Sequence, residues 1–255
     1  MIEVCALASG SNGNSYYIGN GNEAILIDAG IYYKRLNARL TEAGLDKSKI
    51  KAIFISHEHS DHVQGLKVTS EKLKAPGILT KQTYMNLSFR CKPWNYAIYE
   101  PGVVYEIGKI KIYPFLKKHD ATEPCSFRVE TGGVSIGIFT DIGEPDEVLV
   151  KEFSECEIVF LESNYDHDML WKGNYPYYLK QRVSSAYGHL SNAQALELVI
   201  NHASPGLKTI FLSHLSEENN SPECALSCFS SLQNRYEIKI ASRYGISEVI
   251  RINNL

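Results

Sequence analysis

The sequence predicts an α+β chain in which two mixed β-sheets stack face to face with helices outside each. Three observations predict it. Apolar runs of β-forming residues recur ten times, helical patterns fall between several of them, and nothing along the 255 residues reads as a linker, short repeat or low-complexity segment. A single domain over residues 1–255 is the economical organisation.

The β-type runs are 2–8, 15–18, 23–28, 51–56, 110–115, 125–131, 134–140, 157–162, 208–213 and 237–240. Helical patterns lie near 31–44, 65–74, 81–88, 145–153, 176–185, 192–203 and 222–232. Gly10-Ser11-Asn12-Gly13-Asn14 and Gly19-Asn20-Gly21-Asn22 read as turns between the early strands.

Composition narrows the function classes. Hydrophobic residues make up 44% and charged residues 22%, ordinary for a globular protein. No apolar run approaches the ~20 residues needed to span a bilayer. The first residues start directly as a strand, without a basic leader or a small-residue cleavage site, so a cytoplasmic protein with no membrane partner is expected. Cysteines 5, 91, 125, 156, 224 and 228 are scattered and read as reduced thiols. Cys224 and Cys228 have helical spacing and no second pair, a poor zinc pattern. With a net charge of −3, a polyanion must be met by a local basic patch. Nothing sets an oligomeric state.

The densest chemistry is His57-Glu58-His59-Ser60-Asp61-His62, at the end of a buried-looking strand. Neutral imidazoles and a carboxylate are ligands of zinc and other first-row divalent metals. Crowded without a cation, these histidines would repel one another on protonation and leave polar nitrogens unsatisfied. The bland alternative is a solvated polar loop. Other strand ends carry the same residue types: Asp28 after 23–27, His119 after the run through Leu116, Asp141 after 134–140, and His214 after 208–213. Ligands gather outside strand ends in sheet proteins.

In this pattern the chain resembles the metallo-β-lactamase-fold hydrolases over essentially its whole length. Asp28, His57-x-His59-x-Asp61-His62, His119, Asp141 and His214 match the five motifs in order. The resemblance implies an αββα sandwich with a binuclear site at one edge. It assigns His57, His59 and His119 to one metal, Asp61, His62 and His214 to the other, and Asp141 to a bridge, with Asp28 orienting the histidine loop. Segments 7–15, 56–62, 119–121, 161–164 and 188–192 are similar to the YycJ/WalJ-like subgroup, regarded as phosphodiesterases or nucleases, one branch being described as 5′-to-3′ DNA exonucleases. The β-lactamases themselves use a cysteine ligand, and no cysteine here falls at a matching position, which argues against antibiotic hydrolysis.

The implied function is a binuclear metal-dependent phosphodiesterase, a nuclease on DNA or RNA, in which hydroxide held between the metals and oriented by Asp61 or Asp141 attacks phosphorus. The implied cofactors are two divalent ions, zinc foremost, with manganese or iron alternatives. A thioester or lactone hydrolase using the same ligands is the second reading, and a non-catalytic metal sensor the third. His189, in Tyr187-Gly188-His189-Leu190-Ser191-Asn192, is the candidate acid for the leaving group, with Glu162 orienting it and Ser191/Asn192 capping the next helix. A histidine satisfied by backbone near a cap is the alternative. His167 reads as a surface residue at a helix start and His202 as a helix C-terminal residue.

For substrate, residues 165–182 interleave Tyr165, Trp171, Tyr175, Tyr177 and Tyr178 with Lys172, Lys180 and Arg182. They can stack a base and meet phosphates, or simply pack over the sandwich. Ser9, Ser11 and Asn12 offer hydroxyls and amides for a terminal phosphate, or form only a turn. Lys117 and Lys118 add charge beside His119.

Overall fold

Alternation with a period of two sets which way each sheet faces. Along the first strand Val4 and Ala6 join one apolar cluster, while Cys5 and Leu7 join another on the opposite face. The computed structural model describes residues 1–253 and builds two seven-stranded sheets. The first contains β1 (Ile2–Ala8), β2 (Ser15–Gly19), β3 (Ala24–Ile27), β4 (Ile50–Phe54), β5 (Gly77–Leu79) and β6 (Tyr96–Ile98) in that order. The second runs β7 (Tyr105–Ile107), β8 (Ile110–Leu116), β9 (Cys125–Thr131), β10 (Val134–Phe139), β11 (Ile158–Glu162), β12 (Thr209–Ser213) and β13 (Glu237–Ile240). Strand β14 (Ile250–Ile252) returns to pair with β1 in the first sheet.

The faces between the sheets form one apolar core. There Phe160 stacks on Phe211 with ring centroids 4.6 Å apart and meets Tyr16 of the other sheet at 5.1 Å. Helices α1 (Tyr33–Glu42), α2 (Ser60–Val63), α3 (Leu66–Leu73) and α4 (Lys81–Asn86) accompany the first sheet, whose outer face packs Leu26, Leu36, Leu40 and Leu66 together. With the second sheet go α5 (Glu147–Phe153), α6 (His167–Lys172), α7 (Tyr177–Val183), α8 (Asn192–His202) and α9 (Pro222–Cys228), and Leu149, Leu198, Ala225 and Leu212 share its outer cluster. Cys5, Cys125 and Cys156 are buried. No described helix is long and apolar enough to cross a membrane.

Four strands and two helices lie outside the sequence reading. β5, β6, β7 and β14 each have three residues, too few to display alternation, and β6 is exposed throughout. α2 is a single turn and α6 six residues, too short for an apolar period.

Strand direction positions the site. β3 and β4 are parallel to each other, β10, β11 and β12 are mutually parallel, and β8 runs with them because both β8 and β10 are antiparallel to β9. The segments holding Asp28 and His57, and those holding His119, Asp141, Glu162 and His214, therefore reach one edge of the sandwich.

Candidate metal centre

The histidine loop is fixed by its backbone before any side chain acts. After β4, α2 opens at Ser60 with His59 as its N-cap residue, which puts Asp61 and His62 in one helical turn. Asn14 donates its amide to the Asp61 carbonyl at 2.7 Å, and Ala29 donates to that of His62 at 2.9 Å. This approach requires glycine at position 30, where a Cβ would lie 1.6 Å from the Asp61 carbonyl oxygen. Among the described residues only four non-glycines have positive φ, and three are Asp28, Asp141 and His214 at 63°, 53° and 54°. Left-handed backbone concentrated at three strand ends marks strain held in place by the surrounding fold.

Ligand-type atoms of His57, His59 and His119 all lie within 4.8 Å of one another, and so do those of Asp61, His62 and His214. Asp141 sits between, grouping with His57 and His62 on one side and with His214, Glu162 and His189 on the other. Buried partners turn the rings. Nδ1 of His62 donates to Oδ2 of Asp28 at 2.7 Å, and Ser56 donates to the same carboxylate from its amide and hydroxyl. Nδ1 of His57 meets the Ser56 hydroxyl at 2.9 Å, and Nδ1 of His119 donates to the Gly188 carbonyl at 3.1 Å. Each of these rings thus turns Nε2 inward.

The centre holds what a cation would complete. Nε2 of His119, Nε2 of His214 and Oδ2 of Asp141 are buried without a hydrogen-bond partner. Such atoms are costly unless something fills the space between them. A set of only nitrogen and oxygen donors fits zinc, manganese or iron, and no described candidate group includes a cysteine.

Charges conflict without cations. Burial, then the charge of His62, pushes His57 far below the ordinary histidine range. Burial opposes protonation of His62 as well, but Asp141, Asp28 and Asp61 lift it well above that range. Burial opposes protonation of His214 too, but Asp141, Asp61 and Glu162 together raise it to about 10.

His189 follows β11 and α7 on a turn that needs Gly188, whose Cβ would lie 2.2 Å from the Val183 carbonyl oxygen. Its Nδ1 lies 2.8 Å from Oε1 of Glu162, and its ring borders the trough in front of the histidines. Ser191 caps α8 through a capping box with Gln194. Asn192 does not cap: its side chain is taken up by Ser163 and Asn220.

The trough, about 320 Å³, continues into a cavity of about 160 Å³, and Ser11, Asp120, Arg182 and His189 border both. Tyr175, Asn164 and Asn219 line the inner cavity. Three proposed substrate contacts, Ser9, Asn12 and Lys180, do not line this space. Ser9 is fully buried, its Oγ receiving the His214 amide at 2.8 Å and meeting the Tyr16 hydroxyl at 2.9 Å, so it braces His214. Lys180 donates to the carbonyls of Trp171 and Gly173, both at 2.8 Å, and ties α6 to α7. Asn12 is half-buried, with its side-chain oxygen unpartnered. Arg182 grips Asp120 at 2.6 Å, and Lys172 pairs with Asp168. Lys117 is buried against the Thr140 carbonyl, and Lys118 pairs with Glu144. Trp171, Tyr177 and Tyr178 are exposed, Tyr165 is buried, and His167 lies on the surface.

The sequence reading missed four residues of the site. Asn14 points Nδ2 at Nε2 of His62 (3.1 Å) and at Asp61, Ser56 joins Asp28 to His57, and Asn164 holds the His214 carbonyl. Asp120 lies 3.3 Å from Nε2 of His119. All four lie within the segments similar to the subgroup, which was the available signal for them.

A family model described as the metallo-beta-lactamase superfamily matches residues 8–214, which spans Asp28, the histidine loop, His119, Asp141 and His214. The chain belongs to the metallo-beta-lactamase superfamily. Within the superfamily it is 33% identical over 234 residues to a Streptococcus pneumoniae protein named exodeoxyribonuclease WalJ, covering 86% of this chain and 83% of that one. It is 30% identical over 256 residues to a Bacillus anthracis protein named exodeoxyribonuclease YycJ, covering 99% and 95%. YhfI of Bacillus subtilis, a metallo-beta-lactamase fold protein, shares the fold with a TM-score of 0.75 at 15% identity, covering 98% of this chain and 100% of that one. Zn(2+)-bound PqqB of Methylobacterium extorquens does so at 0.73 and 14%, with the same coverage. The superfamily's fold is the two-sheet sandwich described above.

Proposed function

We propose that the protein is a binuclear metal-dependent phosphodiesterase that removes nucleotides from an end of DNA. His57, His59 and His119 would hold one divalent ion and Asp61, His62 and His214 the other, with the Asp141 carboxylate between the two sets available to both. When bound, such ions, zinc foremost with manganese or iron as alternatives, would supply a nucleophile at neutral pH and offset charge in an in-line displacement at phosphorus.

The chain's own residues do the rest. Asp61, with Oδ2 turned to His62 and His214, presents its other oxygen to the attacking water. His189, fixed through Nδ1 by Glu162, holds Nε2 and its proton toward the trough. As the P–O bond breaks, that proton passes to the departing oxygen. The trough and the inner cavity together receive one terminal nucleotide, with the base against Tyr175 in the inner cavity and the phosphate toward Ser11 and Arg182, which border both. The 5′ terminus is the end that the subgroup resemblance favours.

One observation carries the choice of DNA: both curated relatives, matched over most of their own length, are named exodeoxyribonucleases. The test combines metal analysis of the purified protein with labelled-oligonucleotide ladders of DNA and RNA, each with and without a 5′-phosphate, beside a glutathione thioester. Stepwise shortening of DNA that needs the bound metal is expected. Metal-dependent thioester cleavage with intact oligonucleotides would overturn the reading.

A further inference from the structure

Residues 72–99 contain no Asp or Glu and carry Lys72, Lys74, Lys81, Arg90 and Lys92, in a chain whose net charge is −3. Lys67, in the first turn of α3, faces the same region. Among the described residues none of these six cations has a carboxylate within 4.0 Å. Two of them rest on aromatic rings instead. Nζ of Lys67 lies 5.1 Å from the ring centres of both Phe89 and Trp94, and Nζ of Lys92 lies 4.8 Å from that of Tyr84. Tyr84 is stacked on Tyr96 with centroids 4.1 Å apart and planes 16° from parallel. Phe89 and Trp94 are 77% and 74% exposed. Large aromatic rings left in water beside unpaired cations form a surface awaiting a partner.

We propose that this face is a second nucleic-acid surface, which takes the single-stranded part of the substrate beyond the cleavage site. The inference rests on the nuclease reading and extends its substrate from a terminal nucleotide to a strand. Bases find the exposed rings of Phe89 and Trp94, and phosphates find cations that no acidic side chain neutralises. β6 is the free edge of the first sheet, two strands or roughly 10 Å to the side of β4, which delivers His57. Tyr96 is level with Ile53 through Gly77, so Trp94 lies about six residues, on the order of 20 Å, back along the strand direction from His57. A strand of several nucleotides leaving the trough is long enough to reach it. A second copy of the chain fits less well, because two-fold pairing would set one uncompensated basic face against another.

Trp94 supplies the probe, since the chain has only two tryptophans. In metal-loaded Trp171→Phe, adding a cleavage-resistant phosphorothioate oligo-dT of about 15 nucleotides is expected to quench the remaining fluorescence, an effect that weakens as salt rises. The double variant Phe89→Ala/Trp94→Ala should bind a dye-labelled oligomer about tenfold more weakly or worse. Lys67→Gln/Lys92→Gln should flatten the salt dependence. Both double variants should hydrolyse bis-p-nitrophenyl phosphate, too small to reach this face, at the unaltered rate. Unchanged Trp94 fluorescence with unchanged affinity would overturn the proposal. A dimer that Trp94→Ala dissociates while DNA leaves Trp94 dark to its presence, or quenching by polyglutamate alone, would reassign the face to protein and overturn it equally. Failure of the nuclease reading looks different: DNA and the bis-ester both stay intact with metal bound, whatever Trp94 reports.

Discussion

His189 and His214 share one acceptor: Nδ1 of each lies 2.8 Å from Oε1 of Glu162. The second oxygen of that carboxylate receives the amides of Ile142 and Leu190. Burial would raise the Glu162 carboxyl, but His189 and then His214 hold it down to about 2. One buried anion therefore sets the orientation of a proposed ligand and of the proposed acid together.

Glu162→Gln tests that sharing. An amide oxygen can still accept from the two rings, but its NH2 then faces two backbone N–H groups, donor against donor. The variant should lose about 10- to 100-fold in activity and bind metal more weakly, because that clash displaces the side chain on which His214 and His189 are both oriented. Activity and metal content measured on the same preparation check it. A variant that loses rate while holding metal as tightly as the wild type would separate His214 from this network.

His189→Ala should keep both ions and lose about 10²- to 10⁴-fold in rate on DNA. Its proposed work is protonation of a poor leaving group, so the loss should shrink on a p-nitrophenyl ester, whose phenolate departs unaided. Metal loss in the variant would move His189 into the coordination sphere. An equal loss on both substrates would show that it does something other than protonate.

The sequence reading reached the metal-type residues because each follows an apolar strand long enough to recognise, as with 23–27 before Asp28 and 208–213 before His214. It stopped where a role depends on long-range geometry. Ser9 looked like a phosphate contact because it sits in a turn-rich segment, but that segment folds back so that its hydroxyl caps the His214 amide, 205 residues away. Lys180 looked available because the carbonyls it binds lie across a helix–helix turn that local pattern does not reveal. The aromatic face at β6 escaped notice for a related reason: its three-residue strand has no alternation to read, and its rings and cations meet only after α3, α4 and β6 are assembled.

Asp141→Asn isolates the charge of the proposed bridge. Asp141 has φ of 53°, a conformation asparagine tolerates better than alanine, so backbone strain stays small while the anion disappears. At least one ion should be lost, read as metal per chain after gel filtration. Retention of two ions with wild-type affinity would contradict the bridging assignment.

Metal binding should also release protons, with a sign fixed by the site. In the metal-free protein His214 is raised to about 10 and His62 well above the ordinary histidine range, so both are protonated at neutral pH. A ligand nitrogen must be unprotonated, and the ion held by Asp61, His62 and His214 therefore displaces the two protons that nearby carboxylates hold tightly. Calorimetric titration of zinc in two buffers of different ionisation enthalpy should return about two protons released per site pair at neutral pH, and apparent affinity should climb as pH rises toward the raised values. The metal-free protein follows the opposite rule. The stability it draws from these two protonated rings is complete below the unfolded histidine value of about 6.5 and fades as pH rises through the folded ones. Added metal should thus stabilise the fold more at pH 8 than at pH 6, and a thermal shift that ran the other way would show that His62 and His214 are not the groups the ions deprotonate.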